Sequence, residues 1–176
     1  PLIKYIASKG KPIIFSTGIA SIEDISLALN TIRGEGNDDI IILKCISSYP
    51  APIEDYNLKT IRNISETFDV VSGLSDHSEG IVVPTVSVGI GANVIEKHLC
   101  LDRDLGGPDA SFSLEPNEFK QMVDSVRDAE KAMGKVKYDL TRSQKSGVAS
   151  GRSLYVVKDI EKGEIFNKEN LRSIRP

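Results

Sequence analysis

Apolar residues along the chain fall into two patterns, short continuous runs and stripes spaced three or four residues apart. Continuous runs occupy residues 11–18, 39–50, 70–77 and 93–99. Such a run is typical of a parallel strand that is buried on both faces. The segments between the runs have helical spacing, as in Ile25, Leu29 and Ile32, or are small and apolar, as in 81–92. The pattern therefore predicts four successive βα units with a parallel sheet.

Further helices are predicted at both ends of this region. Leu2, Ile3 and Ile6 have helical spacing before Gly10, and a long helix is predicted to begin within residues 113–119 and to end near 133. Ser21 should begin the helix after the first strand, because serine is a favoured N-cap residue. Residues 135–150 are polar without periodicity, which predicts a linker, and residues 151–176 are expected to begin a second domain.

Four βα units can form half of a TIM (β/α)8 barrel or most of a doubly wound sheet. No glycine-rich dinucleotide motif follows any of the strands. Polar tips instead recur at three strand ends, Ser16-Thr17-Gly18, Ser47-Ser48-Tyr49 and Ser75-Asp76-His77. A shared active-site face explains this recurrence, so we predict an α/β fold in which residues 1–134 form half of a TIM barrel.

Composition and charge exclude some classes of protein. The 176 residues are 40% hydrophobic and 27% charged, which is an ordinary globular composition. A net charge of -3 without a basic stripe argues against a nucleic-acid partner, and no apolar run has the length of a membrane span. Cys45 and Cys100 lack metal-type pair spacing, so reduced thiols and a cytoplasmic location are expected. Because the chain begins at Pro1, we expect it to be cut from a longer protein.

Both histidines of the sequence end apolar runs that form one βαβ unit. Parallel strands end at the same sheet edge, so His77 and His98 should lie close together. Side chains two residues apart share a face of a strand, which groups Ser75 with His77 and Glu96 with His98. Two imidazoles with oxygen ligands suit manganese, iron, cobalt or zinc. The alternative interpretation is that each histidine is a hydrogen-bonded residue at a strand end.

The chain also resembles the sialic acid synthase family over its whole length. The motifs that carry the resemblance are FSTGIAS, KCISSYPAP, GLSDHS, IEKHL, GGPDASFSLEP and the tail SLYVVKDIEKGEIFNKENLRSIRP. The family condenses phosphoenolpyruvate with an amino sugar on a TIM barrel that precedes a small antifreeze-like (SAF) domain. The resemblance implies the last four βα units of that barrel, followed by a truncated SAF domain over residues 151–176. Within the family, the last two motifs resemble the pseudaminic acid branch most, with the N-acetylneuraminate and legionaminic acid branches as alternatives.

The resemblance assigns roles to individual residues. The two metal ligands fall on His77 and His98, with manganese as the expected ion and Glu96 as a catalytic carboxylate beside them. The hydroxyls that contact the phosphate fall on Ser16, Ser47 and Ser75. Tyr49 and Asp109 match positions that face the amino sugar, and Arg175 matches an arginine that reaches a partner subunit. Ser47 departs from the family pattern, which often has asparagine there. The family forms homodimers with an exchanged C-terminal domain, which is the assembly we expect here.

Two other classes of function compete with a synthase. A metal hydrolase could use the same histidines, but it would need a third protein ligand that the sequence does not identify. A noncatalytic sugar-binding or ice-binding module could be argued from the antifreeze-like tail alone, but the polar strand tips speak against it. In the family, the lysines that neutralise the phosphate lie in the first half of the barrel. We therefore expect the fragment alone to be inactive.

Overall fold

The continuous apolar runs form four parallel strands, which pair side by side in the order of the sequence. The computed structural model describes residues 1–175, apart from the side chain of Ala149, and assigns these strands to a unit over Pro1–Gly134. The strands are β1 (Ile13–Ser16), β2 (Ile40–Cys45), β3 (Val71–Asp76) and β4 (Ile95–Lys97). The helices are α1 (Leu2–Ala7), α2 (Ile22–Arg33), α3 (Lys59–Phe68), α4 (Val82–Ile90) and α5 (Pro116–Met133). The predicted succession of βα units is confirmed.

Helices α1 to α4 pack on one face of the sheet. Ile42 of β2 is buried in a cluster with residues of α1, α2 and α3, and Leu74 of β3 is buried with Ile61 of α3 and Val83 of α4. Ile42 and Lys44 share a face of β2, because they are two residues apart, and the register pairs Lys44 with Leu74. Ile42 and Leu74 therefore lie on the same face of the sheet. A doubly wound sheet carries helices on both faces. The first unit is therefore an α/β fold with a parallel half-barrel sheet.

Gly73 of β3 lies where the chain entering β4 passes very close. A Cβ atom on Gly73 would lie 2.3 Å from the carbonyl oxygen of Val94 and 2.7 Å from Cδ2 of Leu43. The Val94 carbonyl accepts a hydrogen bond from the Leu74 N–H at 2.8 Å, so the sheet itself fixes this backbone. Glycine is required here because two backbones approach each other more closely than a side chain allows.

Helix α2 begins at the capping residue that the sequence predicted. Ser21 Oγ accepts from the Asp24 N–H at 3.2 Å, and the Asp24 carboxylate accepts from the Ser21 N–H at 3.0 Å. The two bonds form a capping box, which satisfies N–H groups that a helix start leaves free. The hydrogen bond from the Ser21 backbone, followed by the one involving its side chain, lowers the pKa of Asp24.

The second unit begins at Lys135 and contains an antiparallel pair, β5 (Ser153–Val156) and β6 (Leu171–Ile174). The residues predicted as a linker include a four-residue helix, α6 (Arg142–Lys145), and a 3-10 turn at Val148–Ser150. Thr141 and Gln144 start α6 with a capping box, a local helix signal that the prediction of a linker ignored. Among residues 1–175, no helix has the length and apolar character needed to cross a membrane.

Candidate active site

His77 and His98 lie together at the carboxyl edge of the parallel sheet. Their ring centroids are 5.1 Å apart, and their ring planes are nearly perpendicular at 86°. The strand register explains this proximity, because it pairs Asp76 with Lys97, and each of these residues directly precedes a histidine. The prediction that the two histidines meet at one sheet edge is confirmed.

The His77 ring is fixed by a backbone carbonyl. Its Nδ1 lies 2.8 Å from the carbonyl oxygen of Ile46, and the residue is 5% exposed. A carbonyl oxygen only accepts, so this contact assigns the proton of the neutral ring to Nδ1 and leaves the lone pair on Nε2. Cys45 Sγ lies 4.0 Å from the same Nδ1. The arrangement holds the ring in the tautomer whose Nε2 can bind a cation or accept a proton.

His98 is more open and has a carboxylate beside it. Its side chain is 31% exposed, and its Nδ1 lies 3.6 Å from Oδ2 of Asp109. This distance is longer than a hydrogen bond but lies within ion-pair range. Asp109 was expected to face the sugar, and the structure places it next to the second histidine. The carboxylate therefore lies beside the His98 imidazole without a hydrogen bond to it.

Ser75 and Glu96 meet on the same side of the sheet as the histidine pair. The register aligns the two residues, and Ser75 Oγ donates to Glu96 Oε1 at 2.6 Å. Ser75 is buried, whereas Glu96 is exposed. The predicted alternation along β3 and β4 is confirmed by this contact. Ser75 has one hydroxyl proton, and in this structure that proton is directed at the Glu96 carboxylate.

Two aromatic rings border the histidine pair. The Tyr49 ring centroid is 4.3 Å from that of His77, and the Phe112 centroid is 5.1 Å from that of His98. Tyr49 also lies 6.0 Å from Phe112, with the two ring planes inclined at 49°, so the two aromatic rings and the two imidazoles form one cluster. Tyr49 was predicted as a substrate contact, whereas Phe112 was not. The motif GGPDASFSLEP contains both Asp109 and Phe112, but a ring contact made from a loop follows no periodicity that would single out the phenylalanine.

The other predicted contact residues are Ser16, Ser47 and Arg175. Ser16 ends β1 and is exposed, and a Cβ atom on Gly18 would lie 2.9 Å from Ser47 Oγ, so Ser47 borders the turn after β1. Ser16 and Ser47 therefore share the sheet edge with the histidines, but no hydrogen bond found among residues 1–175 joins them to either ring. Arg175 belongs to the second unit, where its Nε donates to the Ser150 carbonyl at 3.0 Å.

A buried ion pair lies next to the histidine pair and was not predicted. Lys97 Nζ is 2.7 Å from Asp76 Oδ2, and the two side chains are 1% and 0% exposed. Tyr56 is buried beside this pair, and its hydroxyl accepts from the His77 N–H at 2.8 Å. Burial, followed by hydrogen bonding to Asp76, raises the pKa of Tyr56. The tyrosine therefore stays a neutral hydroxyl at physiological pH.

The described part of the chain offers two imidazole ligands for a metal ion and no complete site. Among residues 1–175, no group of three or more His, Cys, Asp or Glu side chains is placed to hold a metal. The donor chemistry of the histidine pair still fits a cation, because His77 Nδ1 is engaged by a carbonyl and its Nε2 is left available. Any further ligands would have to be water, substrate or residues outside this chain.

Arg103 joins the loop after β4 to the start of α5. Its guanidinium donates to both carboxylate oxygens of Glu118, with Nη2 2.8 Å from Oε1, and to the Ser113 carbonyl at 3.0 Å. A bidentate pair of this kind is stronger and more directional than a single charged contact. The hydrogen bond from Arg103 is the main reason that the pKa of Glu118 falls from 4.5 to about 2.

We expect Glu118 to stay ionised far into the acid range. Its folded-state pKa lies below the unfolded value, so its contribution to stability is fully present above pH 4.5 and is lost as the pH falls towards 2. An NMR titration that follows the Glu118 carboxyl carbon checks this. In an Arg103→Gln variant the titration midpoint should rise towards 4.5. A midpoint near 4.5 in the unchanged chain would contradict the bidentate pair.

Known proteins are similar to this chain in sequence and in fold. A model of the NeuB family matches residues 1–138. The chain is 49% identical to the pseudaminic acid synthase of Campylobacter jejuni over 174 residues, which are 99% of this chain and 51% of that protein. It is 41% identical to the N,N'-diacetyllegionaminic acid synthase of the same species, covering 100% of this chain and 54% of the relative. The chain thus spans about half the length of the curated relatives that it matches.

A solved structure has the same fold. The N-acetylneuraminic acid (sialic acid) synthetase of Leptospira borgpetersenii, solved in complex with citrate, is 34% identical and superposes with a TM-score of 0.76. The match covers 84% of this chain and 51% of that one. The half-barrel sheet is therefore shared with about half of a longer synthase chain.

Proposed function

The chain belongs to the NeuB family, and we propose that it forms the histidine-bearing half of the active site of a pseudaminic acid synthase. The enzyme would condense phosphoenolpyruvate with 2,4-diacetamido-2,4,6-trideoxy-L-altrose to give a nine-carbon nonulosonic acid and phosphate. The observation that carries the proposal is the pairing of His77 and His98 at the carboxyl edge of the sheet, with ring centroids 5.1 Å apart. The higher identity to a pseudaminic acid synthase supports this branch over the alternatives, an N-acetylneuraminate or legionaminic acid synthase.

The proposed reaction begins when the methylene carbon of phosphoenolpyruvate attacks the aldehyde carbon of the open-chain sugar. A carbon–carbon bond forms, and the aldehyde oxygen gains negative charge and then a proton. Water adds to the former enol carbon and loses a proton. The bond between that carbon and the phosphate oxygen then breaks, and the new hydroxyl gives its proton to the departing phosphate, which leaves a keto acid and inorganic phosphate. The site must therefore stabilise a developing oxyanion and accept a proton from water.

We propose that His77 and His98 each give one nitrogen ligand to a divalent cation, with manganese as the expected ion. The Ile46 carbonyl supports this role, because it holds Nδ1 of His77 and leaves Nε2 free to bind. Asp109 has the corresponding position beside Nδ1 of His98. When bound, the cation would supply Lewis-acid stabilisation to the aldehyde oxygen.

Glu96 is the carboxylate that we propose as proton acceptor for the attacking water. It is exposed at the sheet edge and already accepts the Ser75 hydroxyl at 2.6 Å. Ser75 can donate to a phosphate only when its hydroxyl no longer donates to Glu96, because it has a single proton. Phosphate binding and the Ser75–Glu96 hydrogen bond therefore compete for the same proton, which would leave Glu96 free to act as a base when substrate is present.

The remaining predicted contacts complete the proposed site. Ser16 and Ser47 are hydroxyl donors for the phosphate, while Tyr49 and Asp109 face the sugar. Hydroxyls can orient a phosphate but cannot neutralise its charge, and the family resemblance implies that the lysines that do so lie in the first half of the barrel, outside this chain. We therefore propose that the activity requires the longer protein and that this chain alone is inactive.

The second unit enters the proposal through the resemblance alone. We propose that residues 151–176 begin a SAF domain, that the longer protein is a homodimer with exchanged C-terminal domains, and that Arg175 contacts the partner's active site. In this structure Arg175 donates from Nε to the Ser150 carbonyl.

An assay of the longer protein tests the function. Phosphate release should require manganese, phosphoenolpyruvate and the 2,4-diacetamido sugar together, and kcat/KM should be at least about 100-fold higher than with N-acetylmannosamine, as expected when buried polar groups select a substrate. Release of phosphate without any sugar would instead indicate a hydrolase. A preference for N-acetylmannosamine would move the protein to the N-acetylneuraminate branch.

A further inference from the structure

The backbone of His77 is held from two sides. Its N–H donates to the Tyr56 hydroxyl at 2.8 Å, and its carbonyl accepts from the Ala51 N–H at 3.0 Å. Tyr56 and Ala51 are 1% and 5% exposed, so both partners are themselves packed in the core. The position of the His77 backbone is therefore set by buried groups that precede α3.

The residue after His77 is held by the buried ion pair. The Ser78 N–H donates to Asp76 Oδ1 at 2.9 Å, and the Ser78 carbonyl accepts from Lys97 Nζ. The second carboxylate oxygen of Asp76 pairs with Lys97 at 2.7 Å. One lysine thus joins the end of β3 to the end of β4, immediately before each histidine.

Stability alone does not account for this ion pair. Both charges are removed from water, and a buried ion pair is often no more stabilising than apolar side chains of the same volume. Asp76 and Lys97 alternate with Ser75 and Glu96 along their strands, so they lie on the face opposite to the histidine site. The pair is close enough to fix both strand ends without entering the site.

We propose that Asp76, Lys97 and Tyr56 are positioning residues, which set the separation and orientation of the His77 and His98 rings. The ion pair fixes one strand end relative to the other, and Tyr56 fixes the His77 backbone between them. The inference rests on the proposed function only for the cation that the two rings would bind. The arrangement of the two rings is a property of the chain that can be measured without that cation.

Two variants of the chain test the proposal. The first is the double variant Asp76→Asn with Lys97→Met, which removes both charges and keeps the side-chain volumes similar. The second is Tyr56→Phe, which removes only the hydroxyl. The control replaces a matched but exposed pair on α5, Lys120→Met with Asp124→Asn. The measurements are the nuclear Overhauser effect between the His77 and His98 ring protons, hydrogen exchange at the His77 amide, and Co2+ affinity, Co2+ being a stronger-binding probe than Mn2+.

The double variant should lose at least half of the ring-to-ring Overhauser effect and about 10- to 100-fold in Co2+ affinity, as is typical when groups behind metal ligands are removed. Tyr56→Phe should weaken the same Overhauser effect and speed exchange at the His77 amide about tenfold or more, because the amide loses its buried acceptor. The control should change none of the three measurements. An unchanged ring effect in Tyr56→Phe and the double variant would overturn the proposal. If the double variant does not fold, Tyr56→Phe decides the question. If the parent chain does not bind Co2+, the proposed metal site fails, while the ring effect still decides whether these residues position the histidines.

Discussion

If the longer protein has the proposed function, replacing His98 by alanine should lower its turnover about 10^3-fold and remove the proposed stimulation by manganese. A bound cation is worth several kcal/mol in a transition state of this type, and each 1.4 kcal/mol is about tenfold in rate. The side chain of His98 is 31% exposed, so its loss should change the free energy of unfolding by less than about 1 kcal/mol. Steady-state kinetics with and without manganese, together with a thermal melt without metal, measure both effects.

A matched control separates loss of the ligand from general damage. Lys120→Ala changes an exposed residue of α5 and should keep both turnover and manganese dependence. Normal manganese-stimulated turnover in His98→Ala would show that this histidine does not bind the cation.

An alanine substitution at His77 is expected to affect stability more than one at His98, because His77 is buried. From the sequence, both histidines were expected to be metal ligands at strand ends. The structure leaves His77 only 5% exposed and bonds its Nδ1 to the Ile46 carbonyl. An alanine would leave that carbonyl without its partner, which costs about 1–3 kcal/mol. His77→Ala would therefore lose stability as well as activity, and His98→Ala is the cleaner test of the metal.

Local periodicity accounts for the parts of the fold and site that the sequence predicted. Continuous apolar runs identified the strands, and the βαβ rule brought His77 and His98 to one edge. The two-residue period of a strand then grouped Ser75 with His77 and Glu96 with His98, and the 2.6 Å hydrogen bond between Ser75 and Glu96 agrees with a shared face. Each of these inferences needed only the chain direction and one repeat length.

The missed features depend on tertiary contacts or on burial of charge. Phe112 reaches His98 from a loop, so no periodicity points to the contact. The same two-residue period would have placed Asp76 beside Lys97, but charged residues are seldom fully buried, and nothing in the sequence indicates that these are. Tyr56 was missed because its hydroxyl accepts a hydrogen bond from the His77 backbone N–H, and the two residues are far apart in the sequence.

The second large effect concerns the stability of this buried ion pair. Lys97→Met alone should lower the free energy of unfolding by about 3–5 kcal/mol, because it leaves the Asp76 carboxylate buried without its partner. Adding Asp76→Asn should restore most of that loss, since the uncompensated charge is gone. Urea unfolding of the parent, both single variants and the double variant gives the coupling free energy directly.

The exposed pair Lys120 and Asp124 provides the contrast for this cycle. Their side chains are 74% and 61% exposed, so the same substitutions there should change stability by less than about 1 kcal/mol. A large loss in Lys97→Met that the second substitution fails to recover would show that the lysine stabilises the fold through its packing or its bond to the Ser78 carbonyl. Recovery in the double variant, combined with loss of the ring geometry, would separate the two roles: the fold tolerates a neutral pair there, whereas the histidine site does not.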